Sequence, residues 1–160
     1  KHYTCDSVVI HAGHILLIQR KSFPGKDLWA LPGGHVEDDE TAEYASLREL
    51  HEETRIALSK KDLKKSLLYS KVYDDPNRSM RKRTITTAFL YYLESNKTGT
   101  SQTQIKKDFS HPKIRAQTDA KQTKWFPISL VLSDDFSSQL FEDHAIIIEQ
   151  MNDWLNAQGK

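Results

Sequence analysis

A chain of 160 residues with 38% hydrophobic side chains and a net charge of +1 fits one domain with a real core, and excludes a disordered or fibrous protein. One cysteine, Cys5, excludes an internal disulfide and any cysteine-built zinc site, which suits a reducing cytoplasm with Cys5 as a core residue. No run approaches the roughly 20 apolar residues that cross a bilayer, Lys1-His2-Tyr3-Thr4 has no signal-peptide character, and so small a charge offers no global field for nucleic acid.

The first residue is Lys rather than Met, so residues 1–160 are expected to form one domain, either cut from a longer chain or trimmed at its start. Ser7–Ile10 and His14–Arg20 read as the two strands of a hairpin about His11-Ala12-Gly13. Ile15-Leu16-Leu17-Ile18 is wholly apolar, which predicts a strand buried on both faces. A loop with Pro24 and Gly25 follows, then Leu28-Trp29-Ala30-Leu31 and the breaker Pro32-Gly33-Gly34. Thr41 to Thr54 turns helical: Leu47, Leu50 and Thr54 share one side, Thr41 suits the N-cap, and Glu43 lies in the first turn. Lys60, Lys61, Lys64 and Lys65 read as a solvated face. Strands are predicted over Ser66–Tyr73 and Thr84–Leu93, followed by a polar, irregular stretch between Glu94 and Asp119 that is long enough to be a functional loop. A strand at Thr123–Phe126 and a helix from about Phe141 to Leu155, with Ile147, Ile148, Met151 and Leu155 in its core stripe, complete the chain. Irregular alternation of strands and helices favours an α/β class with a mixed sheet covered by helices.

Glu49, Glu52 and Glu53 fall within an arc of roughly 100° on a helix of 3.6 residues per turn. Like charges so placed repel, unless a divalent cation reverses the sign of the interaction, and oxygen-only ligands suit Mg²⁺ or Mn²⁺. Taken alone, the cluster is as well read as a solvated acidic face. The preceding Leu31-Pro32-Gly33-Gly34 supplies context, because glycines let backbone approach a ligand and turn a carbonyl toward a bound metal. Read together, Gly34, five residues, Glu40, seven residues and Arg48-Glu49-Leu50-His51-Glu52-Glu53-Thr54-Arg55-Ile56 resemble the box of the Nudix hydrolases, G-x5-E-x7-R-E-U-x-E-E-x-G-U, with U a bulky apolar residue. Arg55 stands where the box has glycine, a left-handed position that costs a residue with a Cβ on the order of 1 kcal/mol.

The resemblance implies an α/β/α sandwich with a mixed central sheet and a catalytic loop-helix-loop. It implies that Glu49, Glu52 and Glu53 bind metal, with the Gly33 carbonyl as a further ligand, and that Glu40 and Arg48 brace loop and helix. The general base would be Glu52, or else Asp119 on a later loop.

Substrate recognition is expected from Asp74-Asp75-Pro76-Asn77-Arg78-Ser79-Met80-Arg81-Lys82-Arg83-Thr84-Ile85-Thr86. Arg78, Arg81 and Arg83 could clamp a diphosphate, or form a solvated basic loop. The stretch resembles the D-x-P-x-R-S-x-R-G-R-T-I-T signature of a Nudix subgroup that acts on or senses ADP-ribose, with Lys82 in place of glycine. Arg20, Pro24-Gly25, Asp119-Ala120 before Trp125, and Phe141-Glu142-Asp143-His144-Ala145 extend the likeness to the Nudix domain of bifunctional nicotinamide mononucleotide adenylyltransferase/ADP-ribose pyrophosphatases. That likeness implies Mg²⁺-dependent conversion of ADP-ribose to AMP and ribose 5-phosphate, an upstream nucleotidyltransferase domain and a homodimer. Trp29, Trp125 and Phe89 are candidates to stack on adenine, although aromatics at strand ends are more often core, and His144 reads as a satisfied structural histidine. Two rival readings stand beside this one: a Nudix enzyme acting on another nucleotide such as an oxidised nucleoside triphosphate, and a non-catalytic ADP-ribose sensor. The known sensors add a winged-helix segment, for which no room is expected after Trp154-Leu155.

Overall fold

The structure, a computed structural model, describes residues 1–95 and 110–160. Residues 96–109, within the expected irregular stretch, lie outside the described residues. The strands are β1 (His2–His11), β2 (His14–Arg20), β3 (Trp29–Ala30), β4 (Gly33–His35), β5 (Leu67–Tyr73), β6 (Thr84–Leu93) and β7 (Ala120–Pro127). The helices are α1 (Ala42–Thr54), α2 (Lys60–Lys65), α3 (Ile128–Val131), α4 (Asp134–Ser137) and α5 (His144–Ala157).

The main strand order is β3-β2-β1-β6-β5, with β4 paired to β1 and β7 to β2. β1 and β6 run parallel from His2↔Thr84 to His11↔Leu93, while the remaining pairs are antiparallel, so the sheet is mixed. The β1–β2 turn places Ala12 at φ 49° and Gly13 at φ 71°, the two left-handed residues that a tight hairpin with the right twist requires. Beyond that turn the strands diverge: the first half of β1 takes β4, while β2 pairs with β7 along its whole length and with β3 at its far end.

Alternation along the strands places a large apolar cluster on each face of the sheet, with a smaller one of Ile18, Ala30, Ala120 and Phe141 beside them. Val8, Ile10, Ile15, Leu17, Ala88 and Leu90 pack on Ile147, Ile148, Met151 and Leu155 of α5. On the opposite face Cys5, Val9, Leu16, Phe89 and Tyr91 pack on Ala45, Leu47 and Leu50 of α1 and Leu63 of α2. Ile15 to Ile18 are all buried, as a strand covered on both faces demands. Helices on both faces of a mixed sheet make the expected α/β/α sandwich.

Three segments differ from expectation. β1 begins at His2 rather than Ser7, because its polar first half is held between β4 and β6. The Pro32-Gly33-Gly34 breaker runs into β4, where a Cβ on Gly33 would stand 2.1 Å from the Cys5 carbonyl oxygen, so only glycine permits so close a pairing. The last helix begins at His144, since the Phe141 N–H is committed to the Trp29 carbonyl at 2.8 Å and Glu142 is left-handed at φ 44°.

Candidate active site

Helix α1 starts at Thr41, whose hydroxyl accepts the Tyr44 N–H at 3.1 Å, and stops at Arg55, which is left-handed at φ 49°. Its outer carbonyls do not face water alone. Arg115 N–H donates to Thr54 O at 2.7 Å and Gln117 N–H to Glu53 O at 3.2 Å, so residues 113–118 lie across the helix end and deliver Asp119 to the same cleft as the helix carboxylates.

The cleft, about 370 Å³ in volume, is lined by Glu49, Glu53 and Asp119 together with Arg20, Arg81 and Phe141. Glu53 is only 4% exposed, and its Oε1 accepts the Gly33 N–H at 2.8 Å. Burial pushes its pKa well above the usual carboxylate range, and the nearby Glu49, Asp119 and Asp6 push the same way. Burial also raises Glu49, against the opposing hydrogen bond from Arg48. Gly34 makes room for this arrangement, because a Cβ there would lie 2.7 Å from the Glu49 carboxylate.

Arg48 organises the outer side of the site. It donates from Nε to Glu40 at 3.0 Å, from Nη1 to Glu49 at 2.7 Å and to Glu52 at 3.3 Å, and from Nη2 to His35 O at 3.1 Å. The Arg48 hydrogen bond holds Glu40 below its ordinary pKa, and Glu40 also accepts the Glu37 N–H at 2.9 Å, which ties the loop to the helix. Glu52 is absent from the cleft lining, its carboxylate being turned onto Arg48.

The arginines separate by role. Arg20 lies 4.0 Å over the Phe141 ring and Arg81 lies 5.3 Å from the centre of the same ring, the stacking a weakly hydrated guanidinium favours. Arg81 donates to Glu142 at 3.1 Å. Arg78, also on the cleft, is bound through two nitrogens to Asp143 at 2.8 and 2.9 Å, with its side chain 3% exposed. Arg83 is not brought to the cleft; it donates to Asp74 O at 3.1 Å.

The aromatic candidates Trp29, Phe89 and Trp125 are absent from the cleft lining. Trp29 is a core residue edge-on to Phe126, and Phe89 is a core residue beside Tyr91, neither lining the cleft. Trp125 stacks on His111 and donates to Pro112 O at 3.0 Å. His144 accepts the Leu31 N–H on Nδ1 at 3.0 Å and has Nε2 at 3.6 Å from Asp6, so it is a satisfied buried histidine. Phe141, Glu142 and Asp143 belong to the likeness noted above, but their pairing with the arginines is not legible in sequence, since nothing in the spacing joins acids near residue 142 to cations near residue 80.

A NUDIX domain model matches residues 2–148. The chain belongs to the NUDIX family. It is a Nudix hydrolase 31% identical over 151 residues to an ADP-ribose pyrophosphatase of Methanocaldococcus jannaschii, covering 94% of this chain and 73% of that protein. A similar structure is the bifunctional NMN adenylyltransferase/ADP ribose pyrophosphatase of Francisella tularensis, solved with AMP and a manganese ion. The match has a TM-score of 0.84, 39% identity and 96% coverage of this Nudix chain, which spans 41% of the Francisella chain. The Nudix domain of Shewanella oneidensis NrtR, solved with ADP ribose, shares the fold at a TM-score of 0.71 and 23% identity, covering 97% of this chain and 88% of that one.

Among the described residues no three His, Cys, Asp or Glu side chains already converge on one point as a metal cage. The donor set nevertheless fits the divalent ion that Nudix hydrolases use, because the cleft offers carboxylate oxygens from Glu49, Glu53 and Asp119.

Proposed function

We propose that this Nudix domain, residues 1–160, hydrolyses the pyrophosphate of ADP-ribose to AMP and ribose 5-phosphate with Mg²⁺, for which Mn²⁺ can substitute. The observation that carries the reading is the polarity of one cleft: Glu49, Glu53 and Asp119 line it together with Arg20 and Arg81, which share the Phe141 ring. Such a cleft suits a substrate whose anionic diphosphate binds both a carboxylate-held cation and guanidinium groups.

Glu49, Glu52 and Glu53, with the Gly33 carbonyl, are the residues to hold the metal. Bound there, a divalent ion neutralises pyrophosphate oxygens and acidifies water. Arg20 and Arg81 take phosphate oxygens, and stacking on Phe141 orients their donors before substrate arrives. Arg78 positions the loop through Asp143 rather than gripping phosphate, since its donors are engaged and its side chain is buried. Asp119 accepts the proton of the attacking water in this reading. It lines the cleft whereas the Glu52 carboxylate lies on Arg48, a position that supports Asp119 over Glu52.

Incubation with Mg²⁺ and ADP-ribose, NADH, diadenosine polyphosphates or 8-oxo-dGTP tests the substrate. Highest kcat/KM on ADP-ribose is expected. Turnover of the triphosphate with none of ADP-ribose would sink the assignment, and tight ADP-ribose binding without turnover would convert the domain to a sensor.

A further inference from the structure

A nucleoside diphosphate derivative brings a flat nucleobase as well as phosphates, and the aromatic side chains expected to meet it are engaged elsewhere. Trp29 and Phe89 are core, and Trp125 is covered by His111. Phe141 lines the cleft but carries Arg20 at 4.0 Å and Arg81 at 5.3 Å, and His144 meets it edge-on. Among the described residues, the remaining aromatic ring of a Phe, Tyr or Trp on the cleft wall is Phe23, which is 84% exposed.

Its exposure is not that of a loosely held loop. Arg20 N–H donates to Leu28 O at 2.8 Å, Asp27 N–H to Arg20 O at 2.8 Å and Leu28 N–H to Gly25 O at 3.0 Å, closing the base of the loop. From inside, Arg20 Nε donates to Pro24 O at 2.8 Å, and Lys21 N–H reaches Asp119 O at 3.2 Å. Gly25, at φ +76°, lies so close to Phe141 that a Cβ would stand 2.5 Å from the ring. The backbone on either side of Phe23 is therefore tied to the phosphate-binding arginine and to the loop of Asp119, while its ring is left to solvent at the cleft wall. A ring so placed presents a free apolar face at the cleft wall, on which a flat aromatic ligand can lie.

We propose that Phe23 is the stacking platform for a purine nucleobase, taking the base of the substrate's nucleoside half against its free face. The inference deepens, and rests on, the reading of the cleft as a nucleoside diphosphate site. Stacking is tolerant of base identity and contributes to binding rather than to the bond-breaking step, so the residue acts on affinity.

The test is AMP binding by calorimetry to the wild-type domain, Phe23→Ala and Phe23→Trp in the presence of Mg²⁺, with KM and kcat for ADP-ribose alongside. Phe23→Ala should weaken AMP about tenfold and place the kinetic loss in KM rather than kcat. Phe23→Trp should bind AMP as wild type does, and its indole emission should change on titration. Wild-type affinity in Phe23→Ala, an indole blind to saturating AMP, or no AMP binding by the wild-type domain each overturns the proposal. AMP binding is read without turnover, so a failure to hydrolyse ADP-ribose removes the substrate assignment and leaves the Phe23 result standing.

Discussion

At the scale of single residues, the site is built from groups held in states that water alone would not favour. Glu53 is a buried carboxylate whose one defined partner is the Gly33 N–H. Glu53→Gln keeps an oxygen for that N–H and removes the charge, so we expect hydrolysis to fall by about 100-fold or more with no loss of thermal stability; near-native turnover would remove Glu53 from the metal site. Arg55 shows a different kind of tension: its φ of 49° is where the family pattern has glycine. Arg55→Gly should raise stability by about 0.5 kcal/mol, the relief of left-handed strain less the added freedom of the unfolded chain, as read from urea midpoints. A lower midpoint would mean the arginine side chain contributes more than its backbone costs. The box glutamates were readable from spacing because a helix of fixed pitch gathers them. The burial of Glu53 was not, since it depends on β4 and residues 113–118 closing over the helix.

At the scale of elements, Thr84–Leu93 and α1 coincide with their expected spans because each has one strong period and clear breakers. The short α3 and α4 escaped notice, being too brief to display a period. Residues 110–119 were read as irregular, yet this segment caps α1 and is tethered at its start to the β1–β2 hairpin. The tether is His111, whose Nδ1 meets Nδ1 of His11 at 2.7 Å, with the His14 ring 4.4 Å away. Burial lowers the pKa of His11, with His14 adding to the effect, and lowers that of His111, helped by His14 and His11. A folded pKa below the unfolded value of about 6.5 means that the unfolded chain binds the proton more readily. The histidine contribution is therefore intact above pH 6.5 and lost as pH falls below it. Glu49 and Glu53, raised by burial, act in the opposite sense. The histidine effect is thus the difference between wild type and His111→Asn: the wild-type urea midpoint should lose more between pH 7.5 and 5.5. Parallel profiles would exclude the cluster as a pH-sensitive tether.

At the scale of the whole molecule, one sheet carries a core on each face, and α1 joins the carboxylate-lined cleft to the core formed by Cys5, Val9, Leu16 and Tyr91. Leu50 is fully buried there, so Leu50→Ala should cost about 3 kcal/mol and reduce activity in step with the folded fraction; activity lost without stability would place Leu50 in the chemistry instead. Apolar runs and alternation along the chain pointed to an α/β class with a mixed sheet covered by helices, and the α/β/α sandwich was what the Nudix resemblance implied. The assembly of the cleft was not legible there, because Arg20, Arg81 and Phe141 come from β2, the loop before β6 and the segment before α5, and meet only once the sheet is formed. The proposed hydrolysis needs that cleft to act through a divalent ion on a pyrophosphate bond. Phosphorus NMR of ADP-ribose mixed with the protein measures this directly, first in EDTA and then after excess Mg²⁺. The ADP-ribose resonances should persist in EDTA and give way to those of AMP and ribose 5-phosphate when Mg²⁺ is added; products formed in EDTA, or ADP-ribose left intact in Mg²⁺, would contradict it.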